Sequence, residues 1–205
     1  MKVTREQAEA NRQKVVDAAS ALFRKHGFDG VGVADIMKAA GLTHGGFYGH
    51  FDSKDHLAAE ACSRAIRRSW EAWINASSEG GSDAIVGNYL TSNHRNDHAH
   101  GCLFAALGSD IARQPRVVRR AVTEGFRGTI ERLTRLIPGR SAAARRQRAL
   151  ATMSGLVGAL ILSRAVDDPK LSDDILQAAT NTFGHTAKNS SPRRAMITSS
   201  PLNFP

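Results

Sequence analysis

The chain has 205 residues, 41% of them hydrophobic, and a mean hydropathy of −0.31, which fits a soluble globular protein with a sizeable core. Its longest apolar stretch, Ala149 to Leu162, is uncharged but only 14 residues long, short of the ~20 that a membrane span needs, and two cysteines exclude a disulfide framework. The net charge of +9 points to polyanionic partners, yet residues 1–57 hold eight Lys/Arg against seven Asp/Glu, while residues 113–148 hold eleven Arg against two Glu.

Thr4 to His26 reads as the first helix, with Val15, Ala18, Ala19, Leu22 and Phe23 on one stripe. Gly27 ends it, and Phe28 folds back onto the core. The N-terminal arm carries Lys2, Arg5, Arg12 and Lys14, cations able to neutralise phosphates. Residues 1–14 have no apolar core of the secretory kind, so a cytoplasmic protein is expected. Val33, Ile36, Met37 and Ala40 form one face of a second helix. Gly41 stands where a left-handed turn residue belongs, and Thr43 is placed to cap a third helix with its side chain. Phe47 and Phe51 give that helix an inward face. Two short helices around a glycine turn make a helix-turn-helix. The outward residues of its second helix are His44, Gly45, Gly46, Tyr48, Gly49 and His50, small or polar groups that suit a DNA major groove. Thr43, Tyr48 and Lys54 can bond phosphate oxygens through hydroxyl, phenol and ammonium groups.

A long helix follows, capped by Asp52 or Ser53 and running to about Ser77, with Ile66, Trp70, Trp73 and Ile74 on its apolar stripe. Residues 77–82, SSEGGS, read as a turn, residues 83–90 as a short helix and residues 91–101 as a polar loop. That loop and the next residue bring His94, His98, His100 and Cys102 close in sequence. The spacing is not a structural-zinc pattern, and a solvated loop is the preferred reading. Cys102 opens a helix, where the dipole lowers a thiol pKa; the alternative is a buried inert thiol. From Pro115, Val118, Val122, Phe126, Ile130, Leu133 and Ile137 form a stripe interleaved with Arg116, Arg119, Arg120, Arg127, Arg132 and Arg135. These arginines read as a solvated face rather than an anion site. Ser141 to Val166 is a long helix whose Ser154, Gly155, Gly158 and Ala159 permit close packing, with Leu160 beside them. A last helix spans Leu171 to about Ala187, and residues 188–205 read as disordered.

Gly27-Phe28, Ile36, Gly41-Leu42-Thr43, Gly45, Tyr48, His50-Phe51 and Ser53-Lys54 together resemble the N-terminal signature of the TetR family of bacterial repressors, over residues 10–58. The resemblance implies phosphate contacts at Thr43, Tyr48, His50 and Lys54, and base-facing positions at His44, Gly45 and Gly46. It implies a four-helix dimer interface from the last two helices, placing Gly155, Gly158, Ala159 and Leu160 there. Some TetR-like repressors with a Gly-Cys at the place of Gly101-Cys102 sense oxidants or electrophiles, which makes Cys102 a candidate sensor. One departure stands out. The family usually has a capping hydroxyl where Val31 and Gly32 stand, so no phosphate contact is expected there.

The expectation is an all-α chain of about nine helices. Residues 1–57 form a three-helix DNA-binding domain, residues 58–187 a ligand-binding and dimerisation domain, and residues 188–205 a tail. The expected function is a homodimeric repressor released from operator DNA by a small-molecule effector or by thiol modification, with no catalytic residue, metal or cofactor and no membrane partner. The alternative is a helical ligand-binding or oligomerisation module without DNA binding. Should Cys102 prove inert, an effector pocket is expected between the Trp70–Trp73 helix and the Arg-rich helix.

Overall fold

The computed structural model describes residues 4–184; Lys2 and the tail expected at 188–205 lie outside the described residues. These form eight α-helices and one 3-10 helix, with no strand among the described residues. In order they are α1 (Arg5–His26), α2 (Val33–Ala39), the 3-10 helix (His44–Gly49), α3 (Lys54–Tyr89), α4 (Ser92–Asn96), α5 (Leu103–Ile111), α6 (Arg116–Leu136), α7 (Ala142–Ala165) and α8 (Pro169–Phe183). No helix among the described residues is long and apolar enough to cross a membrane.

Local chemistry sets most of the boundaries. Hydroxyls accept from free backbone N–H groups at the starts of α1 (Thr4 from Gln7), α3 (Ser53 from His56), α4 (Thr91 from His94) and α7 (Ser141 from Ala144). Asp168 caps α8 with Pro169 in its first turn, so the Asp-Pro pair starts this helix two residues before the expected Leu171. Two other expectations are corrected. Residues 77–82 do not break the chain into two helices; α3 runs through them, and their turn character survives only as a left-handed φ of +64° at Gly81. The loop at 91–101 contains the short helix α4, because Thr91 supplies a cap.

Two apolar cores lie along α3. The first joins Val15, Phe23, Ile36, Met37, Phe47 and Phe51 to Leu57 and Ile66 of α3, and continues without a break into Leu103, Leu107, Val118 and Val122. The second gathers Val86, Tyr89 and Leu90 with Ile130, Leu133, Met153, Leu156, Leu160 and Leu176. Helices α3 and α6 meet closely because α6 offers glycines. A Cβ at Gly125 would run into Ile66, and one at Gly128 would lie 2.9 Å from the Trp70 ring. The Trp70 indole N–H donates to the Thr129 hydroxyl (2.8 Å), which itself donates to the Gly125 carbonyl (2.9 Å).

The small residues of α7 divide between two faces. Gly155 receives the Phe183 ring of α8, while Ala159 and Leu160 are buried in the second core. Ala159 and Leu160 thus pack within the chain, while Gly155 stays half-buried. Gly158 is different: a Cβ there would meet nothing within 4 Å. On its side of α7, Leu150, Ile161 and Leu162 are exposed, Leu162 by 56%. Gly155→Ala is therefore expected to force Phe183 out and to cost about 1–3 kcal/mol. Gly158→Ala should be neutral or stabilising by up to about 1 kcal/mol through helix propensity. Urea denaturation of both variants checks this; equal losses would show that Phe183 does not depend on Gly155.

Candidate functional site

The helix-turn-helix is assembled as its pattern predicts, with two differences of detail. Gly41 takes the left-handed turn position at φ +71°, and Phe47 and Phe51 are buried with their rings stacked 5.7 Å apart. The second helix is 3-10 rather than α. Three glycines in six residues withhold the propensity that would hold an α-helix together. Thr43 occupies the N-cap in an extended conformation, but its side chain makes no capping hydrogen bond. The expected cap is thus corrected, and the hydroxyl projects on an exposed residue.

Thr43, His44, Gly45, Tyr48 and Gly49 are exposed, with Gly46 and His50 half-buried. Tyr48 is 73% exposed, its ring edge-on to Phe47 at 5.2 Å. None of these three glycines has a positive φ. A Cβ at Gly45 or Gly49 would meet nothing within 4 Å, and one at Gly46 would make an ordinary 3.7 Å contact with Met37. Neither backbone conformation nor packing inside the chain calls for glycine at these positions. Each costs helix stability, up to about 1 kcal/mol against alanine.

The cations around this surface are largely engaged elsewhere. The Lys54 ammonium donates to the Phe28 carbonyl (2.7 Å), tying the start of α3 to the turn between α1 and α2. Arg12 pairs with Glu60 and lies over the Phe51 ring at 4.6 Å, so it does not hang free as part of an arm. Arg5 and Lys14 are exposed. On α6, Arg116, Arg119, Arg120, Arg127, Arg132 and Arg135 are all exposed, as the solvated-face reading expects.

A second site lies in the C-terminal part. A pocket of about 310 Å³ opens between α3, α4 and the start of α5, walled by Trp73, Ala76, Ile85, Tyr89, His94 and Cys102. Cys102 is the N-cap residue of α5, as expected, but it is buried. Its backbone N–H donates to His94 Nε2 (2.9 Å), and His94 Nδ1 faces the Tyr89 carbonyl at 2.7 Å. An Nε2 that accepts has no proton, so Nδ1 carries it and the ring is neutral. Burial, with Arg164 nearby, pushes the His94 pKa down. His94 is therefore not the protonated neighbour that would activate Cys102. Burial pushes the other thiol, Cys62, up to about 12. The Tyr89 hydroxyl is buried beside Cys102 without a geometrically sound hydrogen-bond partner.

The histidines of this segment diverge. His94 is committed inward, His100 pairs with Asp97 (3.2 Å), and His98 is exposed. No cluster of three or more metal-binding groups occurs among the described residues. Two arginines that the sequence did not single out hold the segment instead. Arg24 of α1 donates to the carbonyls of Ala99 (2.7 Å) and Gly101 (3.4 Å). Arg164 of α7 donates to those of His94 and Arg95, both at 2.8 Å. The one sequence signal for Arg24 is its place on the α1 stripe, one turn beyond the buried Ser20. A smaller groove of about 190 Å³ lies where an alternative effector pocket was expected, lined by Trp70, Trp73, Arg132 and Arg135, with the Arg132 guanidinium 4.4 Å from the Trp70 ring centroid.

Residues 15–61 match the family model of the bacterial regulatory proteins, tetR family. The chain is 39% identical to the HTH-type transcriptional regulator AcrR of Shigella flexneri over 57 residues, 28% of this chain and 26% of that protein. Against such relatives the match thus spans about a quarter of their length. With the HTH-type transcriptional repressor NemR of Escherichia coli K12 it shares 25% identity over 132 residues, 62% of this chain and 66% of the relative. Solved structures agree in fold. Reduced E. coli NemR aligns with a TM-score of 0.71 at 20% identity, over 86% of this chain and 97% of that one. A TetR regulator from Chloroflexus aurantiacus aligns at 0.72 and 23%, over 87% and 94%.

The half-buried, neutral His94 makes stability depend on pH. Its folded pKa lies below the ordinary 6.5, so the unfolded chain takes up a proton that the folded chain refuses. Its contribution is fully present above the ordinary value and is lost as pH falls through the folded one. Between about pH 7 and pH 5 the melting temperature of wild type should fall more steeply than that of His94→Gln, with a limiting slope of about 1.4 kcal/mol per pH unit. Parallel calorimetric curves would remove His94 as the titrating group.

Proposed function

We propose that the chain is a homodimeric transcriptional repressor of the TetR type that binds operator DNA through the 3-10 helix, a reading that starts from the match of residues 15–61 to the tetR family model. The observation that carries the reading is the surface at Gly45, Gly46 and Gly49. These glycines weaken the helix and serve no internal contact, so the close approach they permit is to something outside the chain. A DNA major groove is the surface that a helix-turn-helix meets in this way. In this reading Thr43, Tyr48 and His50 donate to phosphates, and Lys54 adds the donors not held by Phe28. His44 reads base edges beside the bare backbone of Gly45 and Gly46. Only the helix-turn-helix carries this function; no catalytic step is assigned.

The dimer is built on the outer face of α7, through Leu150, Gly158, Ile161 and Leu162, together with α8. Two recognition helices then address half-sites about one helical turn apart, ~34–36 Å. An effector in the pocket beside Cys102, or modification of that thiol, favours a dimer state that no longer fits this spacing. Either shifts the balance only by its differential affinity for the two states.

A gel shift with the DNA directly upstream of the chain's own coding sequence is the test. Wild type should retard it, and Tyr48→Phe should weaken binding by about 1 kcal/mol per subunit, roughly fivefold, on every operator variant. No retardation by a folded wild type would favour a ligand-binding module without DNA binding. N-ethylmaleimide should release wild type and leave Cys102→Ser bound if the thiol is the trigger; equal behaviour would assign release to a non-covalent effector. A Cβ at Gly158 meets nothing within 4 Å of its own chain, so Gly158→Leu should sediment as a folded monomer. A dimer of wild-type stability would place the interface elsewhere.

A further inference from the structure

The backbone of residues 99–101 is held from below by a residue of α1, and it also forms part of the wall of the pocket beside Cys102. Arg24 is 5% exposed, and its one attraction to a carboxylate is to Asp97 of the same segment, beyond ion-pair distance. Its donors are directed at carbonyls, with the Ala99 carbonyl the closer. A buried guanidinium whose only recorded hydrogen-bond acceptors are two carbonyls is costly to strand. Lifting the loop while Arg24 and its helix stay in place would strand the guanidinium. Three residues on, α1 ends at Gly27, and the next residue, Phe28, is gripped by Lys54 at the first turn of α3. Only residues 50–53 separate that turn from the 3-10 helix. A continuous set of contacts runs from the pocket wall to the proposed DNA-reading element.

Tyr89 lines this pocket, while its hydroxyl is buried out of reach of solvent, beside Cys102. Asp97, His100 and Gly101 close the same pocket, so an occupant presses on the segment that Arg24 holds.

We propose that Arg24 is the coupling residue of this protein: it converts displacement of the 97–101 loop by a pocket occupant into loosening of the C-terminal turn of α1 and of the helix-turn-helix attached to it. The proposal deepens the repressor reading and rests on it only for what the coupling regulates.

The structure supplies a way to displace the loop without knowing the ligand. A Cβ at Gly101 would lie 2.6 Å from the Asp97 carbonyl oxygen and 2.9 Å from the His94 ring, so Gly101→Ala must move the loop. A double-mutant cycle with Arg24→Gln, read by hydrogen exchange and by operator affinity, is the experiment. Gly101→Ala should speed exchange at residues 20–27 by about tenfold and weaken operator binding by about fivefold. In the Arg24→Gln background the same change should add less than about twofold to either. Arg24→Lys, whose donors all sit on one nitrogen in place of the two that reach Ala99 and Gly101, should leave an intermediate coupling and serves if the Gln variant does not fold. Additive effects, or fast exchange at 97–102 with none at 20–27, overturn the proposal. An intact exchange cycle in a wild type that binds no operator overturns the repressor reading alone.

Discussion

The seat of α3 against α6 is the constraint on which the rest of the molecule depends. Ile66 and Trp70, one turn apart, drop into the notch left by Gly125 and Gly128, and the Trp70–Thr129 hydrogen bond fixes the register. Burying a side chain the size of Ile66 is worth roughly 1.5–3 kcal/mol, and any side chain at either glycine would lever the helices apart. The consequences reach both ends of α3. Its first turns complete the core under the 3-10 helix, and its last turns carry Tyr89 into the core shared with α7 and α8. Fixing one helix fixes the recognition surface relative to the pocket. The first core runs on into α5 and α6 without a seam.

What was legible in the sequence was local. The inward positions Ile36, Met37, Phe47 and Phe51 follow from helical spacing, and the left-handed residue at Gly41 from the one residue type that adopts it freely. The break expected at residues 77–82 shows the limit of such reasoning. Serine and glycine lower helix propensity by amounts that tertiary packing overrides, and Ile85 and Val86 beyond them are buried firmly enough to keep the helix going. On α7 the difficulty is of another kind. Its uncharged stretch, residues 149–162, has no charged face to mark which small residues look inward. Gly155 and Gly158 are alike in sequence and opposite in role, because only one faces Phe183.

Long cationic side chains were the least legible part of the site. Lys54 stands where a phosphate contact is expected, yet a flexible stem lets its ammonium fold onto the Phe28 carbonyl. Arg24 looks like an ordinary basic residue in the last turn of a helix, where it complements the dipole. Its partners lie 75 and 77 residues away in sequence. No periodicity or motif connects such distant positions, so the link between α1 and the histidine-rich segment emerges only from the fold.

The same bookkeeping of cations explains why the net charge of +9 is a poor guide to the proposed interface. Most of the excess sits on exposed arginines of α6 and the start of α7, while within the first 57 residues Arg12, Arg24 and Lys54 are turned toward internal acceptors. What remains outward on the 3-10 helix is a phenol, imidazoles and bare backbone, with the Thr43 hydroxyl at its cap. These groups hydrogen-bond without a fixed positive charge, so they draw little on counterion release, the term that makes nonspecific DNA binding strong. A recognition surface of this composition depends on shape and hydrogen-bond geometry. Its geometry is set by the elements that hold it, α1 and α3, where Arg12 and Lys54 are turned to Glu60 and the Phe28 carbonyl.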